Sequence, residues 1–152
     1  MISPLLDSLL DPRHVALDLR GNTAGEAIWE IVEVLRESGE LSKPREFFEA
    51  VMVREEKTST VANGGVAFPH ARTDLVDQII LGIGRSNRGV AFGDEGNLVH
   101  LIFLIAVPQQ MVNDYLICVG GLARRLSGEE TRQTLRQAST PAEFLDRLRG
   151  GE

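Results

Sequence analysis

The clearest helical pattern in the chain lies between Thr23 and Gly39. Apolar residues recur there at the spacing of one helix face, at Ala27, Ile28, Ile31, Val34 and Leu35. Thr23 stands three residues before Glu26, which is the spacing of a capping box, and Gly39 ends the run. The pattern therefore predicts a helix that starts after Thr23 and buries one face.

Further helices are predicted on both sides of this one. A short helix is expected within residues 1–13. Another begins near Ser42, where Pro44 suits the first turn, and its apolar side consists of Phe47, Phe48, Val51 and Met52. The helical period returns at Asn113, with Asn113 or Asp114 as the N-cap, Ser127–Gly128 as the stop, and an apolar face of Leu116, Val119, Leu122, Ala123 and Leu126. Two short helices then follow, over residues 129–138 and after residues 139–141.

Strand patterns alternate with these helices. Residues 14–19 and 76–83 have strand length, and turns are expected at residues 87–89 and 93–97. Residues 99–107 are almost entirely apolar, as in a central strand buried on both faces, and Pro108 ends that run. The interleaved elements predict an α/β fold, a single three-layer α/β/α domain with a mixed β-sheet over residues 1–152.

Composition narrows the range of partners. The chain has 152 residues, of which 43% are hydrophobic, so it is long enough for one domain with a real core. It carries 22 acidic and 16 basic side chains, giving a formal charge of −6. This balance argues against nucleic acid and anionic membrane as partners. A local basic patch near residues 64–72 is still allowed, from Arg72, Arg85 and Arg88.

The single cysteine and the apolar runs suggest a cytoplasmic protein. Cys118 has no partner for an internal disulfide and lies in an apolar stretch, so it is expected to be buried. The longest apolar run, residues 98–108, is too short to span a bilayer, and residues 1–10 lack the features of a signal peptide. Membrane insertion is therefore not expected. Three scattered histidines and the lack of a Gly-x-Ser-x-Gly motif argue against a zinc or serine-hydrolase site.

The most informative stretch for chemistry is residues 64–72, Gly-Gly-Val-Ala-Phe-Pro-His-Ala-Arg. Pro69 restricts its own φ angle and favours an extended conformation for Phe68, so the backbone that carries His70 is expected to be rigid. A lone histidine after a proline is, taken by itself, more often an ordinary turn residue. The residues just upstream nevertheless supply polar groups that can hold a tautomer or bind an anion, at Thr58, Ser59, Thr60 and Asn63.

These residue types suit phosphoryl transfer. A neutral imidazole is a competent nucleophile toward phosphorus, and the transferred group needs donors for its oxygens. Candidate donors are the hydroxyls of Ser59 or Thr60 and the backbone N–H groups of Gly64 and Gly65. Arg54 is the first candidate for a guanidinium and Arg72 the second. The second helix should bring Arg54 and Glu55 to its C-terminal end, although a solvated pair without function is an alternative there.

Residues 54–70 as a whole resemble the active-site signature of a known family. An Arg-Glu pair, a Ser-Thr pair, a Gly-rich turn, a Gly-apolar-Ala-apolar segment and Pro-His follow one another at the same spacing in EIIA domains of the phosphotransferase system, in the fructose/mannitol/nitrogen-regulatory class. Residues 92–94 and 99–108 also resemble that family's sheet segment. The resemblance implies that His70 accepts a phosphoryl group from an HPr-like phosphohistidine protein, that Arg54 is the family's arginine, and that no metal or other cofactor is needed.

The chain departs from that family at three positions. Where the family usually has a second active-site histidine in a His-Leu pair, this sequence has Tyr115–Leu116. A tyrosine can donate a hydrogen bond, but it cannot carry the charge of an imidazolium at neutral pH. Val61 and Asn63 stand where the family commonly has glycines. The changes at Tyr115, Val61 and Asn63 bear on the transfer rate and on the choice of partner.

Three functions are compatible with these features. The first is a regulatory, nitrogen-type EIIA whose phosphorylation state other proteins read. The second is a sugar-specific EIIA that passes the group to EIIB, and the third is a non-catalytic interaction module. We expect His70 to be partly accessible, with Arg54 and Tyr115 within one side-chain length. An apolar rim for partner docking is expected at Val66, Ala67 and Phe68, and the oligomeric state is left open.

Overall fold

The computed structural model describes residues 2–93 and 95–150. Its helices are α1 (Pro4–Ser8), α2 (Ala24–Glu37), α3 (Pro44–Lys57), α4 (Val112–Arg125), α5 (Glu129–Arg136) and α6 (Pro141–Arg149), with a 3-10 turn at Pro12–His14. Its strands are β1 (Val15–Ala16), β2 (Val61–Ala62), β3 (Val66–Ala67), β4 (His70–Thr73), β5 (Ile80–Phe92) and β6 (Asn97–Pro108). Within these described ranges, no helix combines the length and the apolar character needed to cross a membrane.

The strands form one mixed sheet around β6. Strand β5 is antiparallel to β6 on one side, and β3 and β4 pair with it in parallel, one after the other, on the opposite side. Strand β1 lies parallel outside β5, and β2 lies antiparallel outside β3. The prediction of a central strand at residues 99–107 is confirmed.

Alternate residues of β6 serve two separate cores. Leu101, Phe103 and Ile105 belong to the core that also contains apolar residues of α1, α4, α5 and α6. Ile102, Leu104 and Ala106 belong to the core that contains apolar residues of α2 and α3. This alternation follows from the two-residue period of a strand. The predicted three-layer α/β/α fold with a mixed sheet is therefore confirmed.

The helix predictions hold for α2 and α3 but need a correction at the start of α4. The Thr23 hydroxyl oxygen accepts a hydrogen bond from Glu26 N at 3.1 Å, and the Glu26 carboxylate accepts one from Thr23 N at 3.3 Å. Helix α3 begins at Pro44, as expected. Helix α4 instead has Met111 at its N-cap position, because a turn at Pro108 brings Met111 N to the Pro108 carbonyl at 3.0 Å. The expected caps, Asn113 and Asp114, lie inside its first turn.

Two strand predictions differ from the structure. Strand β1 has two residues, because residues 12–14 form a 3-10 turn that takes in His14. Strand β5 starts at Ile80 and continues through the turn predicted at residues 87–89. The ladder with β6 shifts register between Arg85 and Val90, so the extra residues bulge without ending the strand. Of the turn predicted at residues 93–97, residue 94 lies outside the described residues.

Candidate functional site

The candidate site lies at His70, just beyond the point where the segment before β2 stops pairing with the outer edge of the sheet. Strands β3 and β4 keep one register along β6, with Val66 opposite Leu101 and His70 opposite Ile105. On the outer edge, Phe68 N donates to the Thr60 carbonyl at 3.1 Å. The segment before β2 therefore covers the edge as far as Phe68. His70 is the second residue beyond that point, so the local fold leaves its side chain partly exposed.

The His70 imidazole is held in one tautomer. Its Nδ1 lies 3.0 Å from the carbonyl oxygen of Phe68. A carbonyl oxygen only accepts hydrogen bonds, so Nδ1 carries the proton and donates it. Nε2 is then left with a free lone pair. The side chain is partly exposed, and the bond to Phe68 fixes the orientation of its ring.

The surroundings keep this imidazole neutral. Burial lowers the pKa of His70 below its ordinary value, and the positive charge of Arg54 lowers it further. The hydrogen bond to Phe68 and the negative charge of Glu55 act in the opposite direction on that pKa. Because the lowering effects win, the nucleophilic form predominates at neutral pH.

Tyr115, on the first turn of α4, packs beside His70. The two ring centroids are 5.0 Å apart at an angle of 34°. The Tyr115 hydroxyl oxygen lies 3.4 Å from Nδ1, near the limit for a hydrogen bond. Burial raises the pKa of Tyr115, so the phenol stays protonated at neutral pH. The expected proximity of Tyr115 to His70 is observed.

The C-terminal end of α3 brings Arg54 and Glu55 to the loop before β2. Arg54 Nη1 donates to the Thr58 carbonyl at 2.9 Å. The positive charge of Arg54 lowers the pKa of both His70 and Tyr115. Glu55 accepts two hydrogen bonds from Thr60, one from N at 3.0 Å and one from Oγ1 at 2.7 Å. The sequence analysis did not predict the pairing of Glu55 with Thr60, because the only sequence signal for Glu55 was its position next to Arg54.

The Ser59 and Thr60 hydroxyls, which were expected to bind phosphate, take part in other hydrogen bonds in the structure. The hydroxyl proton of Thr60 is already donated to Glu55. The Ser59 hydroxyl oxygen accepts from Val61 N at 3.3 Å within a local turn, on the side of Gly93. Neither hydroxyl is shown in contact with His70 in the described part of the chain.

Gly64 and Gly65 also lie away from the imidazole. They form the turn between β2 and β3, both with positive φ, at +88° and +78°. Gly64 packs under the Arg132 side chain, and the Gly65 carbonyl accepts from His100 N at 2.8 Å. At about 3.3 Å per residue along the strand, Gly65 is roughly 16 Å from His70. The glycines shape a turn, and the expectation that their N–H groups face His70 is corrected.

The predicted basic patch is wrong for Arg85. That side chain is buried, at 7% exposure, and donates to the carbonyl oxygens of Leu17, Leu135 and Ala138. Arg88 donates to the Arg20 carbonyl, and Arg72 donates to the Gln109 carbonyl. Of the three arginines, only Arg72 shares a strand with His70.

The predicted apolar rim is also wrong. Val66, Ala67 and Phe68 are buried, at 8% exposure or less. Phe68 stacks on Phe103 in the core, with the ring centroids 5.8 Å apart.

Two exposed apolar residues near the site are on α4. Leu116 and Ile117 follow Tyr115 directly and are 56% and 49% exposed. The helical period had grouped Leu116 with the buried face, but that face centres on Cys118 and Leu122. Cys118 is buried as expected, and burial raises the pKa of its thiol to about 11.

No metal centre is evident in the part of the chain that the structure describes. It contains no group of three or more histidine, cysteine, aspartate and glutamate side chains placed to hold an ion.

Comparisons with known proteins agree on one family. Residues 8–150 match the model of "Phosphoenolpyruvate-dependent sugar phosphotransferase system, EIIA 2". The fructose-specific EIIABC component of Bacillus subtilis is 31% identical over 142 residues, which are 93% of this chain and 22% of that protein. The chain thus spans under a quarter of this relative's length.

Two solved structures are similar over nearly the whole chain. The nitrogen regulatory protein IIA-Ntr of Neisseria meningitidis has a TM-score of 0.85 and 29% identity, covering 95% of this chain and 99% of that one. Enzyme IIAMTL of Escherichia coli, in its complex with phosphorylated enzyme IIBMTL, has a TM-score of 0.79 and 25% identity, covering 93% of this chain and 97% of that one.

Proposed function

Because this chain belongs to the EIIA 2 family of the phosphoenolpyruvate-dependent sugar phosphotransferase system, we propose that it is a phosphocarrier that accepts a phosphoryl group on His70 from an HPr-like phosphohistidine protein. One observation carries the proposal: the partly exposed imidazole donates Nδ1–H to the Phe68 carbonyl and leaves Nε2 free. The family match over residues 8–150 supports treating residues 1–152 as one EIIA domain.

The proposed step needs no reactant besides the two proteins. The Nε2 lone pair of His70 attacks the phosphorus as the P–N bond of the donor phosphohistidine breaks. The electron pair of that bond returns to the donor's imidazole nitrogen. The Nδ1 proton stays on His70, where the Phe68 carbonyl accepts it, so charge and atoms balance without a cofactor or a metal.

Arg54 and Tyr115 have different roles in this step. The Arg54 guanidinium lies close enough to lower the pKa of His70, so it is also close enough to attract the oxygens of a phosphoryl group on that residue. Tyr115 covers one side of the ring and excludes water there, because its own centroid lies 5.0 Å from that of His70. Arg54 is thus the charge partner and Tyr115 the packing partner of the imidazole.

We assign the protein first to the regulatory branch. The similarity to the nitrogen regulatory protein IIA-Ntr, with a TM-score of 0.85 over 95% of this chain and 99% of the other, supports this assignment. The targets would be proteins that read the phosphorylation state of His70.

A sugar-specific EIIA that passes the group to EIIB is the second candidate. It is supported by the identity to a fructose-specific EIIABC component and by the similarity to IIAMTL, which was solved with phosphorylated IIBMTL. In either branch, the exposed Leu116 and Ile117 beside Tyr115 suit a small apolar contact with a partner that must leave again.

The test is phosphoryl uptake measured by intact mass. The purified protein is incubated with phosphoenolpyruvate, EI and the HPr-like carrier, and kept out of acid to preserve phosphohistidine. We expect a single phosphoryl gain that is lost in His70→Ala. No gain with any carrier, while a known EIIA reacts alongside, would identify the protein as a non-catalytic interaction module.

The two branches are separated by a second incubation. The phosphorylated protein is mixed with EIIB domains of the fructose and mannitol type. Retention of the phosphoryl group on His70 supports the regulatory assignment, whereas rapid loss to EIIB supports the sugar-specific one.

A further inference from the structure

A line of three hydrogen-bonded links connects Glu55 to His70. Glu55 binds Thr60, the Thr60 carbonyl accepts from Phe68 N at 3.1 Å, and the Phe68 carbonyl accepts from His70 Nδ1 at 3.0 Å. The line begins at the last turn of α3 and ends on the reactive ring. It lies on the side of β3 that faces β2, away from β6.

The first link is the strongest in the line. Glu55 uses both carboxylate oxygens, one for Thr60 N at 3.0 Å and one for Thr60 Oγ1 at 2.7 Å. Hydrogen bonds to an ionised group are shorter and stronger than neutral ones. Thr60 is therefore fixed in backbone and side chain by one residue of a regular helix.

The middle link sets where the Phe68 carbonyl points. In a strand, the N–H and C=O of one residue point to the same side, so the bond from Phe68 N to Thr60 also directs the Phe68 carbonyl outward. The next residue faces the opposite way: the Pro69 carbonyl accepts from Ile105 N of β6 at 3.0 Å.

We propose that Glu55 is a positioning residue for His70, acting through Thr60 and Phe68 to hold the imidazole as the Nδ1–H tautomer with Nε2 free. The role of this residue in catalysis rests on the proposed function, whereas its effect on the tautomer does not. The Phe68 side chain is held separately, by stacking on Phe103 in the core.

Two substitutions separate position from charge. Glu55→Ala removes both bonds to Thr60 together with the negative charge. Glu55→Gln keeps a carbonyl oxygen for Thr60 N and an amide that can donate to Thr60 Oγ1, while it removes the charge. Glu56→Ala is the matched control. It also removes one negative charge, from the next residue of the chain, whose side chain is exposed.

The primary measurement is nitrogen NMR of the His70 ring, which reports which nitrogen is protonated, with His70→Gln used to assign its signals. We expect a single Nδ1–H tautomer in the wild type, in Glu55→Gln and in Glu56→Ala, and a mixture of tautomers in Glu55→Ala. Uptake from the HPr-like carrier should fall roughly tenfold in Glu55→Ala and stay within about threefold in the other two.

The pH profile reports the charge of Glu55 separately from its positioning role, which the tautomer measurement reports. Glu55 raises the pKa of His70, so Glu55→Gln should move the acid limb of the uptake profile to lower pH while the plateau rate is preserved. If Glu55→Ala unfolds the chain, Thr60→Val replaces it, since that change removes the 2.7 Å bond and keeps the backbone one.

The outcomes distinguish this inference from the proposed function. A folded Glu55→Ala variant that keeps the single Nδ1–H tautomer would overturn the positioning role, whatever its uptake rate. A wild type that takes up no phosphoryl group would overturn the proposed function, and the tautomer measurement would still decide the role of Glu55. Loss of the tautomer without loss of uptake would support the effect of Glu55 on the tautomer and overturn its role in catalysis.

Discussion

Replacing Tyr115 by phenylalanine removes one hydroxyl beside His70 and keeps the aromatic ring. The hydroxyl oxygen lies 3.4 Å from Nδ1, whereas the Phe68 carbonyl oxygen lies 3.0 Å from it. Nδ1 has one proton to donate, so the nearer carbonyl takes the main share of the bond. The tyrosine hydroxyl is at most a second, weaker acceptor for the same N–H.

The expected effect of this substitution is small. A neutral hydrogen bond contributes about 0.5–1.5 kcal/mol, and a long shared bond belongs at the bottom of that range. A loss of about 0.5 kcal/mol corresponds to roughly a twofold change in the rate of phosphoryl uptake. If the hydroxyl instead donated to a charged phosphoryl oxygen, its removal would cost about 1.5–3 kcal/mol, or roughly 10- to 150-fold in rate.

The assay is uptake from the phosphorylated HPr-like carrier, quenched at short times and read by intact mass. Tyr115→Phe is compared with the wild type and with Tyr115→Ala, which also removes the ring. Loss of the ring exposes the imidazole, so the pKa of His70 should rise in Tyr115→Ala but change little in Tyr115→Phe. A tenfold or larger drop in Tyr115→Phe, with an unchanged melting temperature, would refute the view that Tyr115 acts by packing.

Three further predictions address charge, packing and acid stability. Arg54→Gln removes a charge that lowers the pKa of His70, so this pKa should rise in an NMR titration, and the acid limb of uptake should move to higher pH. Gly84→Ala would place a Cβ 2.6 Å from a methyl carbon of α2, so urea unfolding should show a loss of about 1–3 kcal/mol without slower uptake. The Arg13 side chain, through its hydrogen bond, lowers the pKa of Asp11 from 3.8 to about 2, so the pair stabilises the fold above pH 3.8 and loses that effect as pH falls toward 2. Asp11→Asn should therefore cost less than about 1 kcal/mol at pH 7, and the difference from wild type should shrink in urea unfolding at pH 3.

The elements that could be predicted from sequence are those with strong local signals. Helix α2 carries a capping box and a regular apolar face, and the central strand β6 is apolar along nearly its whole length. Strand β5 was harder, because Asn87, Arg88 and Gly89 have the composition of a turn. Pairing with β6 overrides that local preference and accommodates those residues as a bulge.

The candidate site was predictable only in part. The Pro-His motif and its spacing singled out His70 as the candidate, which is partly exposed in the structure, and the predicted helix placed Arg54 near the C-terminal end of α3, where it is observed. The positions of Gly64 and Gly65 depended on the pairing of β2 with β3, which involves strands of two residues each. Such short strands leave no periodicity in the sequence, so proximity along the chain grouped Gly64 and Gly65 with His70, although the sheet keeps them apart.

Buried polar groups were hidden for a related reason. Arg85 looks like a surface cation, yet it donates to three carbonyl oxygens from distant parts of the chain. Those acceptors come together only when α5 and the segment before α2 pack on β5. Charge alone therefore could not show that this arginine is a structural donor and not part of a phosphate site.

The lowered pKa of His70 suits the proposed phosphocarrier role, in which this residue would receive a phosphoryl group and release it again. A less basic nitrogen forms a weaker bond to phosphorus and is a better leaving group in the next transfer, following Brønsted behaviour. Burial and Arg54 act in this direction, whereas Glu55 and the Phe68 carbonyl oppose it. Glu55 also fixes the ring through Thr60, so one carboxylate both restores part of the imidazole's basicity and holds its tautomer. Glu55 has no proposed contact with the phosphoryl oxygens, so its effect on the basicity of His70 can be tested alone: Glu55→Gln is expected to release the group from His70 sooner than the wild type does.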